Sequence, residues 1–67
     1  MQYTDRKAVA AAMYDLGIGV TELAKRAQIS AATAYRVAKG SGKVSPETLR
    51  AVGDVLGVKP SSLLLAD

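Results

Sequence analysis

The strongest constraint on the fold is a connection of three residues, Gln28 to Ser30, between two short helical segments. The first segment covers about residues 20–27. Its apolar side chains fall on one stripe: Val20, Leu23, Ala24 and Ala27. Ser30 is a favoured N-cap residue, so the second segment begins at Ala31. A connection this short does not allow relaxed antiparallel packing, and the two helices must therefore cross at a steep angle.

The second of these helices, residues 31–39, has an unusual exposed face. The helical period directs Ala34, Val37 and Ala38 inward. The outward positions are then Ala31, Ala32, Tyr35, Arg36 and Lys39. This face has a slim, methyl-lined first turn and a long cationic donor one turn later. A helix that enters the major groove of DNA needs both, because its first turn must approach base edges and Arg can donate two hydrogen bonds to guanine.

The rest of the chain predicts three more helices and no strand, because no alternation of period two occurs. Thr4 is the predicted cap of a first helix, which Gly17 ends. The clearest helix start is Ser45-Pro46-Glu47, and that helix runs to about residue 56. Pro60 opens a last short helix through residue 65. The predicted fold class is therefore all-α, with five helices.

The composition excludes several classes of protein. The 67 residues suffice for one domain, predicted over residues 1–67. Cys and His are both missing, which excludes disulfides, thiolate metal sites and catalysis by a nucleophile–imidazole pair. No apolar run is long enough to span a bilayer. We expect a cytoplasmic protein that is not an enzyme and that uses neither a metal nor a cofactor.

Positive charge is concentrated in the middle of the chain. Between Glu22 and Glu47 there is no acidic residue but five basic ones: Lys25, Arg26, Arg36, Lys39 and Lys43. This segment fits either a surface that binds a polyanion or a solvated basic face, and charge by itself does not separate the two. We expect Lys7, Lys25 and Arg26 to be solvated rather than functional.

The stretch TELAKRAQISAATAYRVAKG resembles the helix-turn-helix of the lambda-repressor-like superfamily, which includes phage repressor and Cro proteins and XRE-type regulators. Its core is also similar to the headpiece of lac-repressor-type regulators. The long first helix and the ending AVGDVLGVKPSSLL fit the five-helix repressor pattern better. The resemblance covers about residues 5–65. It implies a compact five-helix DNA-binding domain with the helix-turn-helix at about residues 20–39.

The resemblance also implies roles for individual residues. Base contacts fall on Ala31, Ala32 and Arg36, although Arg36 alternatively contacts a phosphate. Tyr35 is a further candidate, which either contacts DNA or covers the edge of the core. The predicted phosphate contacts are Val20, Thr21, Ser30, Thr33, Lys39, Ser41 and Lys43.

Four positions depart from the family pattern. Gln28 stands where Gly is usual, and a positive φ there costs roughly 1 kcal/mol. Val20 replaces a Gln that commonly contacts a phosphate or a base. Met13 and Ala38 replace an ion pair between the first and third helices, and we expect apolar packing in its place.

These observations favour a sequence-specific, double-stranded DNA-binding transcriptional regulator of a bacterium or phage, most simply a repressor. Contiguous leucines at Leu63, Leu64 and Leu65 either close the core or form a dimer contact, and we expect a homodimer. No small-molecule effector is evident. The alternative is a protein-interaction module, of the antitoxin or anti-repressor type, that keeps this fold without specific DNA binding.

Overall fold

The structure is a computed structural model and describes residues 2–65. Four α-helices make up most of this part of the chain: α1 (Arg6–Leu16), α2 (Val20–Ala27), α3 (Ala31–Lys39) and α4 (Pro46–Leu56). Two short strands, β1 (Gln2–Tyr3) and β2 (Lys43–Val44), and a 3-10 turn at Pro60–Leu63 complete it. The mostly helical prediction is confirmed. The count of five α-helices is not confirmed, and the expectation of no strand is wrong.

The helix-turn-helix follows the predicted bounds. Gln28 ends α2 in the left-handed region, with φ of 57°. A residue with a Cβ is strained in this region, as expected for Gln at a position that suits Gly. Ser30 caps α3, because its Oγ accepts a hydrogen bond from the backbone N–H of Thr33 at 3.1 Å. Gly40 then ends α3 in the left-handed region. Local capping therefore sets both ends of α3.

The N-terminal segment differs from its prediction at Thr4. The residue that caps α1 is Asp5, whose Oδ1 accepts from the backbone N–H of Lys7 at 3.0 Å. Thr4 is buried instead, and its hydroxyl donates to the carbonyl of Val37 at 2.7 Å. The last carbonyls of a helix lack partners within the helix, so Thr4 satisfies one at the buried end of α3.

A small antiparallel sheet joins the N-terminal segment to the loop after α3. Tyr3 of β1 pairs with Lys43 of β2. On its other side the N-terminal segment pairs with the C-terminal segment, through a bridge between Thr4 and Leu64. The residues after the 3-10 turn are therefore extended, which is why the predicted last helix is short and ends at Leu63.

The core lies among the four helices and the 3-10 turn. Its fully buried side chains are Val9, Leu23, Val37, Val52 and Leu63. Met13 also lies in this core and Ala38 packs against it, as expected where apolar residues replace an ion pair. Within residues 2–65, no helix is long and apolar enough to cross a membrane.

The three consecutive leucines do not form one exposed surface, which removes Leu63 from the predicted dimer contact. A contact through Leu64 and Leu65 stays a prediction. Leu63 is 1% exposed, because the 3-10 turn packs it against α1 and α4. Leu64 is half-buried against the core, and Leu65 is 57% exposed. Leu63 belongs to the core of the protomer and is not available to a second copy of the chain.

Candidate nucleic-acid interface

One face of α3 is exposed along the whole helix. Ala34 and Val37 have no exposed surface, which fixes the orientation of the helix on the core. The residues that the helical period directs outward are all exposed: Ala31, Ala32, Tyr35, Arg36 and Lys39. The structure therefore brings the four predicted base-contacting residues together on one surface with Lys39. Their contacts with DNA remain a prediction.

The first turn of α3 is held by two hydroxyl groups. The hydroxyl of Ser30 donates to Oγ1 of Thr33 at 2.9 Å while its oxygen accepts from the backbone N–H of that residue. The proton of the Thr33 hydroxyl is not used in this pair and can be donated to a phosphate oxygen. Ser30 mainly orders the helix start, so Thr33 is the better phosphate donor of the two.

The start of α2 presents backbone rather than side-chain donors. Its N-cap residue, Gly19, provides no side-chain hydrogen bond to the first N–H groups of the helix. Val20 is half-buried and packs against the core, so only its backbone N–H can face a phosphate. Thr21 is exposed and adds a hydroxyl. Such a helix start favours an anion through its unpaired N–H groups and partial positive charge.

The side chain of Arg36 is supported by the loop after α3, because its aliphatic stem lies against Gly42. A Cβ atom built on Gly42 would stand 2.6 Å from Cδ and 2.8 Å from Cγ of Arg36. The loop after α3 therefore supports the arginine, and it does so because residue 42 has no side chain. Sequence reasoning missed Gly42, since its position relative to Arg36 depends on how the loop returns to the helix.

Aromatic rings accompany two of the predicted phosphate contacts. Nζ of Lys39 lies 5.8 Å from the ring centroid of Tyr35, whose surface is 50% exposed. Nζ of Lys43 lies 5.8 Å from the ring centroid of Tyr3. Both distances allow a cation–π attraction, which orients the lysines without neutralising them. Tyr3 was not among the predicted site residues, because pairing between two-residue strands leaves no periodic pattern in the sequence.

Electrostatics leave the face of α3 positively charged. Within residues 2–65 there is one ion pair, in which Nε of Arg26 lies 2.9 Å from Oε2 of Glu22 on α2. This pair neutralises the acid in the first turn of α2, although an exposed pair contributes only about 0–1 kcal/mol to stability. Arg36, Lys39 and Lys43 take part in no ion pair with the described residues. Their charges therefore remain available to a polyanion.

Comparison with known protein families gives one match of nearly full length. The family model described as "Helix-turn-helix domain" matches residues 6–65. That range contains α1 to α4, β2 and the 3-10 turn. The comparisons with curated proteins and with solved structures give no match.

Proposed function

The chain belongs to the helix-turn-helix domain family, as its resemblance to lambda-repressor-like regulators predicts, and on this basis we propose that it is a sequence-specific transcriptional repressor that binds double-stranded DNA. Membership of the family suggests a DNA-binding regulator. We propose further that α3 enters the major groove and that two copies of the chain bind one operator. A bound dimer represses by occupying the DNA, which requires no further activity.

The observation that carries this proposal is the exposed face of α3. It has a first turn without bulky side chains and two cations, Arg36 and Lys39, and the strand that follows adds Lys43. None of these three cations forms an ion pair within residues 2–65. Small side chains let the helix backbone approach the base edges. The cations attract the phosphates that border the groove.

In this arrangement some residues contact bases and others contact phosphates, which positions the protein on the DNA. Arg36 donates to O6 and N7 of a guanine, and Ala31 and Ala32 offer methyl groups to the C5-methyl of thymine. Tyr35 lies beside them with half of its surface exposed. The contacts with the DNA phosphates come from Thr33, from the start of α2, and from Ser41 and Lys43 after α3. Because few side chains donate to bases, part of the specificity comes from DNA shape.

Two-fold symmetry compensates for the small number of base contacts. One half-site read largely by Arg36 would contribute little discrimination, about 1–3 kcal/mol for a good bidentate pair. Two half-sites about one helical turn apart double this contribution. With Leu63 in the core, only Leu65 and the exposed part of Leu64 remain of the leucine group for a dimer contact.

The experiment selects bound duplexes from a random DNA pool and measures affinity for the enriched site at several salt concentrations. Enrichment of two-fold-symmetric sites is expected. Arg36→Ala should weaken binding to the enriched site and remove the preference for one base pair in each half-site. Arg36→Lys keeps the charge but lacks the planar, bidentate donor, so it should lose the base preference while keeping the salt dependence.

Arg50→Ala is the matched control, because Arg50 is exposed on α4 in a surface that is lined by α4 residues, among them Glu47 and Asp54, and by none of α3. It should leave the base preference unchanged. If Arg36→Ala leaves affinity and base preference at wild-type values, the role of Arg36 is wrong. If the wild-type protein retards no DNA at low salt, the proposed function fails and the protein-interaction alternative takes its place.

A further inference from the structure

Three basic side chains from two distant parts of the sequence line one cleft. Arg6 and Lys7 come from the first turn of α1, and Lys39 comes from the last turn of α3. Gly40 and Leu65 complete the wall beside them. The sequence separates Lys7 from Lys39 by α2, so no motif indicates that they meet.

The close approach of two backbones forms this cleft. A Cβ atom on Gly40 would stand 2.9 Å from the carbonyl oxygen of Thr4 and 3.6 Å from Cβ of Arg6. The buried hydrogen bond from Thr4 to the carbonyl of Val37 holds the same two segments together. The end of α3 and the start of α1 are therefore fixed relative to each other, and the cationic side chains extend from a rigid base.

The cleft carries an excess of positive charge. Among residues 2–65, its lining has three cations and one carboxylate, that of Asp5. Oδ1 of Asp5 already accepts from the backbone N–H groups of Lys7 at 3.0 Å and Ala8 at 3.4 Å. Asp5 thus balances the positive end of α1, and none of the three cations forms an ion pair within residues 2–65. A phosphate group would supply the missing anion.

The position of Lys39 connects this cleft to the proposed DNA surface. Lys39 lies on the exposed face of α3, and α3 is nine residues long. A helix of that length spans about 14 Å, slightly more than the major-groove width of about 12 Å. The last turn of α3 therefore reaches the edge of the groove, where the sugar–phosphate backbone runs.

We propose that Arg6 and Lys7, which lie outside the helix-turn-helix, bind one phosphodiester of the operator together with Lys39, on the backbone that flanks the half-site. The inference rests on the proposed function, since it adds a second backbone contact to the same complex. It assigns a binding role to Lys7, which the sequence predicts to be merely solvated, and to Arg6. Because these contacts meet only phosphate, they add affinity without adding base preference.

The test compares wild type with Arg6→Gln/Lys7→Gln on the enriched operator. Each lost phosphate contact makes the slope of log affinity against log salt shallower by about 0.9. Two copies of the chain bind one operator, each with one such phosphodiester, so the double variant should make the slope shallower by about 1.8. When salt rises from 50 to 200 mM, the affinity of both proteins falls, and the factor by which it falls should be about 12 times smaller for the double variant than for wild type. Base preference should not change. Both residues are exposed, and a thermal melt checks that the fold is kept.

Two controls separate this contact from general charge effects. Arg50→Gln/Lys59→Gln removes the same charge from α4 and the segment after it, and should leave the slope near the wild-type value. A duplex shortened to the half-sites removes the flanking phosphates, so wild type and Arg6→Gln/Lys7→Gln should then show the same slope.

An unchanged slope for Arg6→Gln/Lys7→Gln, or an equal fall in the control double variant, overturns the inference while leaving the proposed function intact. Titration with inorganic phosphate, followed by NMR shifts of the Arg6 and Lys7 amides, distinguishes the source of the anion. Shifts combined with an unchanged salt slope would mean that the cleft takes a free phosphate and not DNA. Failure of wild type to bind DNA at all would remove the proposed function itself.

Discussion

Gly42→Ala should weaken operator binding by displacing Arg36, although residue 42 touches no DNA in our proposal. The new Cβ would lie 2.6 Å from Cδ of Arg36, whereas carbon atoms in contact sit about 3.5–4.0 Å apart. The arginine stem must therefore move by roughly 1 Å or more, and its guanidinium leaves the position that the loop supports. Gly42 is not one of the glycines with positive φ, so alanine fits its backbone.

The size of the effect follows from what Arg36 supplies. A bidentate contact to guanine contributes about 1–3 kcal/mol of discrimination, so its complete loss lowers affinity about 5- to 150-fold for each half-site. The fold should not suffer, because Gly→Ala at a compatible position stabilises by about 0.4–1 kcal/mol through the unfolded chain. Binding and stability should thus change in opposite directions, which a general loss of structure would not produce.

The assay is a double-mutant cycle on the enriched operator. Gly42→Ala, Arg36→Ala and the double variant are measured by affinity at fixed salt, and their unfolding free energies are measured by denaturant titration. If Gly42 acts through Arg36, the double variant should bind no worse than Arg36→Ala. Additive losses would refute this reasoning, and so would wild-type affinity for Gly42→Ala.

Two further expectations concern stability. Thr4→Val keeps the shape of the side chain but leaves a buried carbonyl of α3 without its donor, so the free energy of unfolding should fall by about 1–3 kcal/mol. Thr21→Val, at an exposed position, should change it little, and equal effects in denaturant titrations would contradict the role of Thr4. Leu63→Ala should cost about 2–5 kcal/mol because it opens a cavity in the core. Leu65→Ala should leave the free energy of unfolding of the protomer nearly unchanged, and the reverse order would contradict the placement of Leu63.

The helices could be predicted from sequence because their ends depend on neighbouring residues. Ser30 and Ser45 each accept a hydrogen bond from a backbone N–H three residues later, and this spacing is visible in the chain. The same reasoning misplaced the start of α1 by one residue. Thr4 and Asp5 are both good caps, and the burial of Thr4 against α3 decides between them.

The small sheet and the end of the chain could not be predicted in this way. Two-residue strands are too short to show alternation, and Tyr3 meets Lys43 only once the helices have packed. The burial of the three leucines is equally hard to predict from the sequence. Their local pattern allows Leu63 to face either solvent or core, and the position of the 3-10 turn against α1 and α4 settles the choice.

The candidate site also has a part that the sequence predicts and a part that depends on tertiary contacts. The helical period of α3 predicts which residues face outward, and the burial of Ala34 and Val37 agrees with it. The period says nothing about what lies beside that face. The support of Arg36 by Gly42 depends on how the loop after α3 returns to the helix. The convergence of Arg6 on Lys39 arises from contact between segments distant in sequence.

In our proposal, these tertiary contacts explain how α3 can select a DNA sequence although few of its side chains donate to bases. The two alanines at the start of α3 donate no side-chain hydrogen bonds, so the proposed direct reading falls mainly on one arginine. A single flexible arginine discriminates poorly unless its position is restricted before binding, because ordering a long side chain costs about 0.5–1.5 kcal/mol. Gly42 supplies that restriction at the loop, and β1 braces the loop through its pairing with Lys43. We therefore expect the N-terminal segment to affect specificity through the position of Arg36, without itself contacting a base.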